Sequence, residues 1–203
     1  MILYYVHDPM CSWCWGFKPV LEQLKKNLPD GIEMQFLLGG LAPDTDSAMP
    51  KIMRSQIIST WKHIQSDIPD TQFNYDFWVK CTPKRSTYLS CRAVLSAAKQ
   101  QKSKSYEMLT AIQEAYYLHA LNPSELSTLQ FLAETIGLNI ESFNIDIESE
   151  DINKQLNSEI SMSRRLGADS FPSLVLSKNE KHYPVALDYN HSDIILDHIK
   201  SFV

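Results

Sequence analysis

Two cysteines with two residues between them, Cys11-Ser12-Trp13-Cys14, sit inside the run His7-Asp8-Pro9-Met10-Cys11-Ser12-Trp13-Cys14-Trp15-Gly16-Phe17. That spacing suits dithiol–disulfide chemistry, in which one thiolate attacks a sulfur and the second thiol resolves the mixed disulfide. The same spacing could be half of a zinc site. A structural zinc site needs four ligands, usually as two close pairs. The other two cysteines, Cys81 and Cys91, have nine residues between them and do not supply a second pair of that kind. The redox reading is therefore preferred over zinc and over a buried, inert pair, and no metal is expected.

The elements around the pair strengthen this reading. Ile2 to Val6 is apolar and aromatic, as a short buried strand requires, and Val20, Leu21, Leu24 and Leu28 recur at helical spacing. The cysteines fall where strand hands over to helix. A helix's first turn presents free N–H groups and partial positive charge, which stabilise a thiolate at Cys11. Cys14, on the adjoining turn, is placed to resolve. His7 and Asp8 flank the site, either as a polar strand end leading into the Asp8-Pro9 turn or as a proton relay to Cys14. Trp13, on the outer edge of the turn, is expected to be exposed and to offer apolar surface to an extended polypeptide. Without a histidine between the cysteines, the couple is expected to be less oxidising than the strongest periplasmic oxidants.

In chain order, Pro29-Asp30-Gly31 turns into a second strand, Ile32 to Leu38, making β-α-β with a parallel pair. From about Ser47 to Ser142 the pattern is helical. One helix carries Met49, Ile52, Met53, Ile57, Trp61 and Ile64; an aromatic irregular stretch runs from Pro69 to Pro83. Further helices carry Tyr88, Cys91 and Leu95, then Tyr106, Leu109 and Tyr116. Asn122-Pro123-Ser124-Glu125 is expected to open the next helix with Asn122 as its N-cap, and Gly137 to end it. A helix bearing Ile152, Leu156 and Ile160 follows, then strands Ser173–Leu176 and His182–Leu187, with Pro184 marking an edge, and a closing helix from Asp193 to Phe202. This order is that of an α/β thioredoxin fold holding an inserted helical lobe. Residues 1–43 and 143–203 form the discontinuous thioredoxin part and 44–142 the insert. In such a fold the residue leading into the third strand is a cis proline facing the cysteines; here that is Pro172, preceded by Phe171.

The 203 residues are 44% hydrophobic and 21% charged, with a formal charge of −5 and no lysine or arginine run, so binding to nucleic acid or to an anionic membrane by electrostatics is not expected. No stretch approaches a membrane span, and the start resembles no signal peptide. A cytoplasmic protein is expected, in which Cys91 on an apolar helix face is a buried thiol and Cys81 a more exposed one.

The sequence resembles the DsbA-like thioredoxin superfamily, in particular its FrnE-type, protein-disulfide-isomerase-like branch. The resemblance rests on Asp8 to Phe17, on Thr82-Pro83-Lys84-Arg85-Ser86-Thr87-Tyr88 with Cys91-Arg92-Ala93-Val94, and on Phe171-Pro172-Ser173-Leu174-Val175-Leu176. It implies Cys11 as nucleophile, Cys14 as resolving cysteine and Pro172 as the cis proline. Trp13 and Phe171, beside that site, are expected to contact substrate. No cofactor beyond the redox-active Cys11–Cys14 disulfide is expected, and the expected partner is a thiol- or disulfide-bearing polypeptide or a small thiol such as glutathione. Two other readings stay open. One is a glutathione-dependent transferase or isomerase of the kappa and 2-hydroxychromene-2-carboxylate isomerase type, which shares the fold but has serine where Cys11 stands. The other is a non-catalytic polypeptide-binding module.

Overall fold

The computed structural model describes residues 1–202. In chain order the elements are β1 (Ile2–His7), α1 (Ser12–Asn27), β2 (Glu33–Leu38), α2 (Lys51–Asp67), α3 (Phe77–Lys80), α4 (Tyr88–Gln100), α5 (Lys104–Tyr117), α6 (Leu126–Thr135), α7 (Ile140–Ile147), α8 (Glu150–Arg165), β3 (Ser173–Lys178), β4 (Lys181–Val185) and α9 (Ser192–Lys200). The strands form one sheet in the order β2-β1-β3-β4. β1 pairs with β2 in parallel and with β3 antiparallel, and β4 closes the far edge against β3. Pro184 lies in that edge strand, where a missing N–H costs no ladder bond on the open side.

Alternation along β1 divides its side chains between two layers. Leu3 and Tyr5 pack with Phe17, Val20, Leu21 and Leu24 of α1 and with Ile195 and Ile199 of α9. Tyr4 and Val6 face the other way, onto Leu166 and Ala168 just beyond α8. The helices α2–α7 lie between β2 and α8 in sequence, and α4–α7 build their own core around Cys91, Leu95, Ile112, Leu129 and Phe143. Into that core α8 sends Ile152, Leu156 and Ile160, while its last residues reach the sheet, so α8 joins the two layers. Its start is well specified: Ser149 Oγ accepts the Ile152 N–H at 3.2 Å, Glu150 and Asp151 occupy the first turn, and Arg164 and Arg165 the last.

Several local expectations meet a different structure. α6 begins at Leu126, not at Asn122; the Asn122 side chain instead accepts from the Ser124 N–H (3.2 Å) and hydroxyl (2.6 Å), closing a turn ahead of the helix. Gly137 does end α6, at φ +76°. Ile52, placed on the apolar face of α2, is 76% exposed; Trp61 and Ile64 carry that helix's burial. Within the aromatic stretch, Phe77–Lys80 forms a helical turn. The expected lobe limit between 142 and 143 falls inside α7, whose Phe143 and Ile147 are fully buried in the lobe core.

Candidate active site

The geometry of the site starts with Cys11, which is the N-cap of α1. Its backbone is extended (φ −81°, ψ 115°), and its Sγ accepts the Cys14 N–H at 3.3 Å. A sulfur in that position takes one of the helix's free donors and lies on the positive end of its dipole. The Cys11 thiol in turn donates to the carbonyl of Phe171 at 3.2 Å. The Phe171–Pro172 peptide is cis and Pro172 is buried, so β3 begins directly against the cysteines. Gly39 makes room for this: a Cβ there would fall 1.9 Å from the Phe171 ring.

Cys11 is only 6% exposed, but it lines a cavity of about 210 Å³. Met10, Trp13, Leu41 and Phe171 form the wall nearest the sheet. The opposite wall comes from the helical stretch, including Met49, Ile57, Trp61 and Arg85. Trp13 is half-buried, not exposed as expected, because its ring packs on Tyr189 at 5.0 Å and His63 at 5.7 Å. Behind the cavity lies an aromatic cluster centred on Trp61, against which Trp15 stacks through Tyr117.

Cys14 is fully buried beneath Cys11. Burial, and then a hydrogen bond and repulsion from Cys11, push its thiol well up, partly offset by a backbone hydrogen bond from Asp8. Tyr5 lies beside it: burial and then the Cys14 and Cys11 sulfurs hold its phenol well above the usual range. Sequence reasoning missed Tyr5. The signal was available, since strand alternation places it on the face of β1 that meets α1.

His7 and Asp8 occupy different settings. The His7 ring stacks on Tyr5 at 5.1 Å and meets Phe36 edge-on at 5.6 Å. Its Nδ1 is buried without a hydrogen-bond partner among the described residues, and burial lowers its pKa to about 3, so the imidazole is neutral at physiological pH. The Asp8 carboxyl is fully buried and heavily bonded. It accepts from Met10 N (2.8 Å), Leu41 N (2.7 Å) and Thr87 Oγ1 (2.6 Å), with the Cys91 thiol at 3.6 Å. Burial raises its pKa while these donors lower it. Asp8 thus ties the end of β1 to the loop after β2 and to the start of α4. Cys91 is a buried thiol within that tie, and Cys81, half-buried, donates to the Ala120 carbonyl at 3.2 Å. All four cysteines are free. Among the described residues no group of three or more His, Cys, Asp or Glu is arranged to hold a metal ion, and no helix is long and apolar enough to cross a membrane.

A family model described as Thioredoxin matches residues 4–194. The chain belongs to the thioredoxin family. Among solved structures, a protein from Nitrosomonas europaea, provisionally described as a protein disulfide isomerase, superposes with a TM-score of 0.85 at 24% identity, covering 99% of this chain and 96% of that one. The cytosolic disulfide reductase DsbM from Pseudomonas aeruginosa gives 0.77 at 22% identity, covering 100% and 96%, and has also been solved with GSH. These neighbours show the DsbA-like form of the thioredoxin fold. Curated relatives include the ClpXP adapter protein SpxH from Halalkalibacterium halodurans, 23% identical over 176 residues, covering 85% of this chain and 57% of the relative. SpxH from Bacillus subtilis is 23% identical over 173 residues, at 85% and 56%. The chain spans little more than half the length of the curated relatives it matches.

Proposed function

We propose that this protein is a thiol–disulfide oxidoreductase working through Cys11 and Cys14. The observation that carries the reading is the Cys11 sulfur, seated on a free donor in the first turn of α1 and facing a cavity, with Cys14 directly behind it. The Cys11 thiolate attacks a substrate disulfide, forming a mixed disulfide and releasing one substrate thiolate. Cys14, losing its proton, then attacks the Cys11 sulfur, forming Cys11–Cys14 and releasing the second thiolate. Two electrons and two protons leave the dithiol for the substrate. A thiol reductant other than the substrate's own reduced form returns them by the reverse exchange. Pro172 and Phe171 lie across from the attacking sulfur, where Trp13 and Phe171 would contact substrate.

We take reduction, in a reducing compartment such as the cytoplasm, as the working direction. The naming of Pseudomonas aeruginosa DsbM as a cytosolic disulfide reductase supports that choice. Insulin reduction followed by turbidity tests the activity: the wild type should accelerate precipitation and Cys11→Ser should not. Equal rates would remove the reading. A glutathione-requiring activity that survives Cys11→Ser would point instead to a transferase or isomerase.

The names of the SpxH relatives favour a second reading, in which the chain binds a polypeptide as an adapter. Partner binding that persists when both Cys11 and Cys14 are serine would support it.

A further inference from the structure

We propose that Arg85, with Lys84 beside it, is the carboxylate-recognising end of the cavity that Cys11 lines, so that the preferred substrate is a short anionic disulfide of the glutathione class. The proposal rests on the dithiol reading above and gives it a substrate class.

The chain carries a net charge of −5, yet the charged side chains lining the cavity are Lys84 and Arg85, with no aspartate or glutamate among the lining. Nearby cations are matched: Arg92 meets Asp44 at 2.7 Å, and Lys84 has Glu125 at 3.4 Å. The guanidinium of Arg85 has no ion pair or hydrogen bond among the described residues, although the residue is half-buried. A partly desolvated guanidinium is best satisfied by an anion, and its planar fork matches a carboxylate in bidentate geometry. Arg85 already favours negative charge on the Tyr116 phenol in the same wall. An unmatched guanidinium in the same lining as a nucleophilic sulfur calls for an anionic ligand carrying a sulfur. At about 210 Å³ the space is below the usual range for drug-sized ligands, so it takes one arm of such a disulfide and leaves the other outside.

The test is a single turnover, in which the reduced protein reacts with one disulfide to give Cys11–Cys14 and two released thiols, with no other reductant. Oxidised glutathione, neutral 2-hydroxyethyl disulfide and cationic cystamine are compared. Arg85→Gln should slow oxidation by oxidised glutathione roughly tenfold or more, as loss of a charge-assisted contact implies, and leave 2-hydroxyethyl disulfide within about twofold. Arg85→Lys should recover part of the loss, and added salt should erode the wild type's preference for the anionic disulfide. An equal loss on all three disulfides, or none on oxidised glutathione, overturns the proposal. If the wild type exchanges with no disulfide, the dithiol reading fails and Arg85 is judged by binding alone. S-methylglutathione, which cannot exchange, is titrated calorimetrically into the protein and into Arg85→Gln. Binding lost in the variant upholds the carboxylate site; equal or absent binding overturns it.

Discussion

The Cys11 sulfur lies 3.2 Å from the carbonyl oxygen of Phe171, a residue 160 positions later in the chain. The contact brings the beginning of α1 and the beginning of β3 to one point, and the bare backbone of Gly39 allows the Phe171 ring to sit there. Gly39→Ala should therefore displace that ring. We expect a loss of about 1–3 kcal/mol, as for other overpacked sites, with slower disulfide exchange. Urea unfolding and single-turnover rates check this together. Lost stability with an unchanged exchange rate would separate Phe171 from the chemistry.

The Tyr5 phenol senses the charge of the buried Cys14 sulfur. When Cys14 ionises to resolve a mixed disulfide, that hydroxyl is a donor to the new anion. Tyr5→Phe should slow resolution roughly tenfold, the size of one hydrogen bond to a charged group, and lengthen the life of the mixed disulfide. The first attack by Cys11 should change little. If both steps slow alike, Tyr5 acts through packing only.

Cys14 itself is held protonated at neutral pH by burial and by Cys11. Below its pKa the thiolate fraction rises about tenfold per pH unit, so resolution should accelerate by that factor per unit across the mildly alkaline range. The release of thionitrobenzoate from a Cys11 mixed disulfide reads this rate directly. A rate flat with pH would mean that another group has already taken the Cys14 proton. Cys14→Ser should leave the mixed disulfide intact.

His7 sets a pH dependence of folding. Its pKa is about 3 in the fold, and an unfolded histidine titrates near 6.5. Protons thus bind the unfolded chain first. The stabilisation is complete above roughly pH 6.5 and drains as pH falls toward about 3. Between about pH 7 and pH 4.5 His7 alone should cost on the order of 2–3 kcal/mol. The neighbouring Asp8 has a raised pKa and works in the opposite sense, its share growing as pH falls. Urea midpoints of the wild type and His7→Phe at both pH values isolate the histidine: the variant should lose less. Parallel losses would sink the assignment.

The strand before the cysteines and the helix after them were legible because alternation and helical spacing both run without interruption up to the Cys-x-x-Cys motif. The proximity of Pro172 followed from the order of elements. Asn122 misled because Asn-Pro-Ser-Glu is a helix-start pattern whose asparagine can be satisfied locally, and here Ser124 satisfies it. α7 carries Ile140, Phe143 and Ile147 at helical spacing behind an Asn139 cap, but it is short and straddles the limit set for the lobe. Tyr5 in a buried strand reads as core; its phenol comes beside the Cys14 sulfur only once α1 folds back on β1. Trp13 read as exposed because Tyr189, which covers it, is 176 positions away. That Arg85 lacks an anion is a property of the whole surroundings, with no local pattern to announce it.

Asp8 fastens both sides of the cavity through one carboxyl, with Met10 and Leu41 on the sheet side and Thr87 on the helical side. The sulfurs are carried by the first side and the cations by the second. On the reading proposed above, changes at positions 84 and 85 retune which molecule is admitted while the exchange machinery stays as it is. Chemistry and selectivity would then be separate inheritances, free to drift apart.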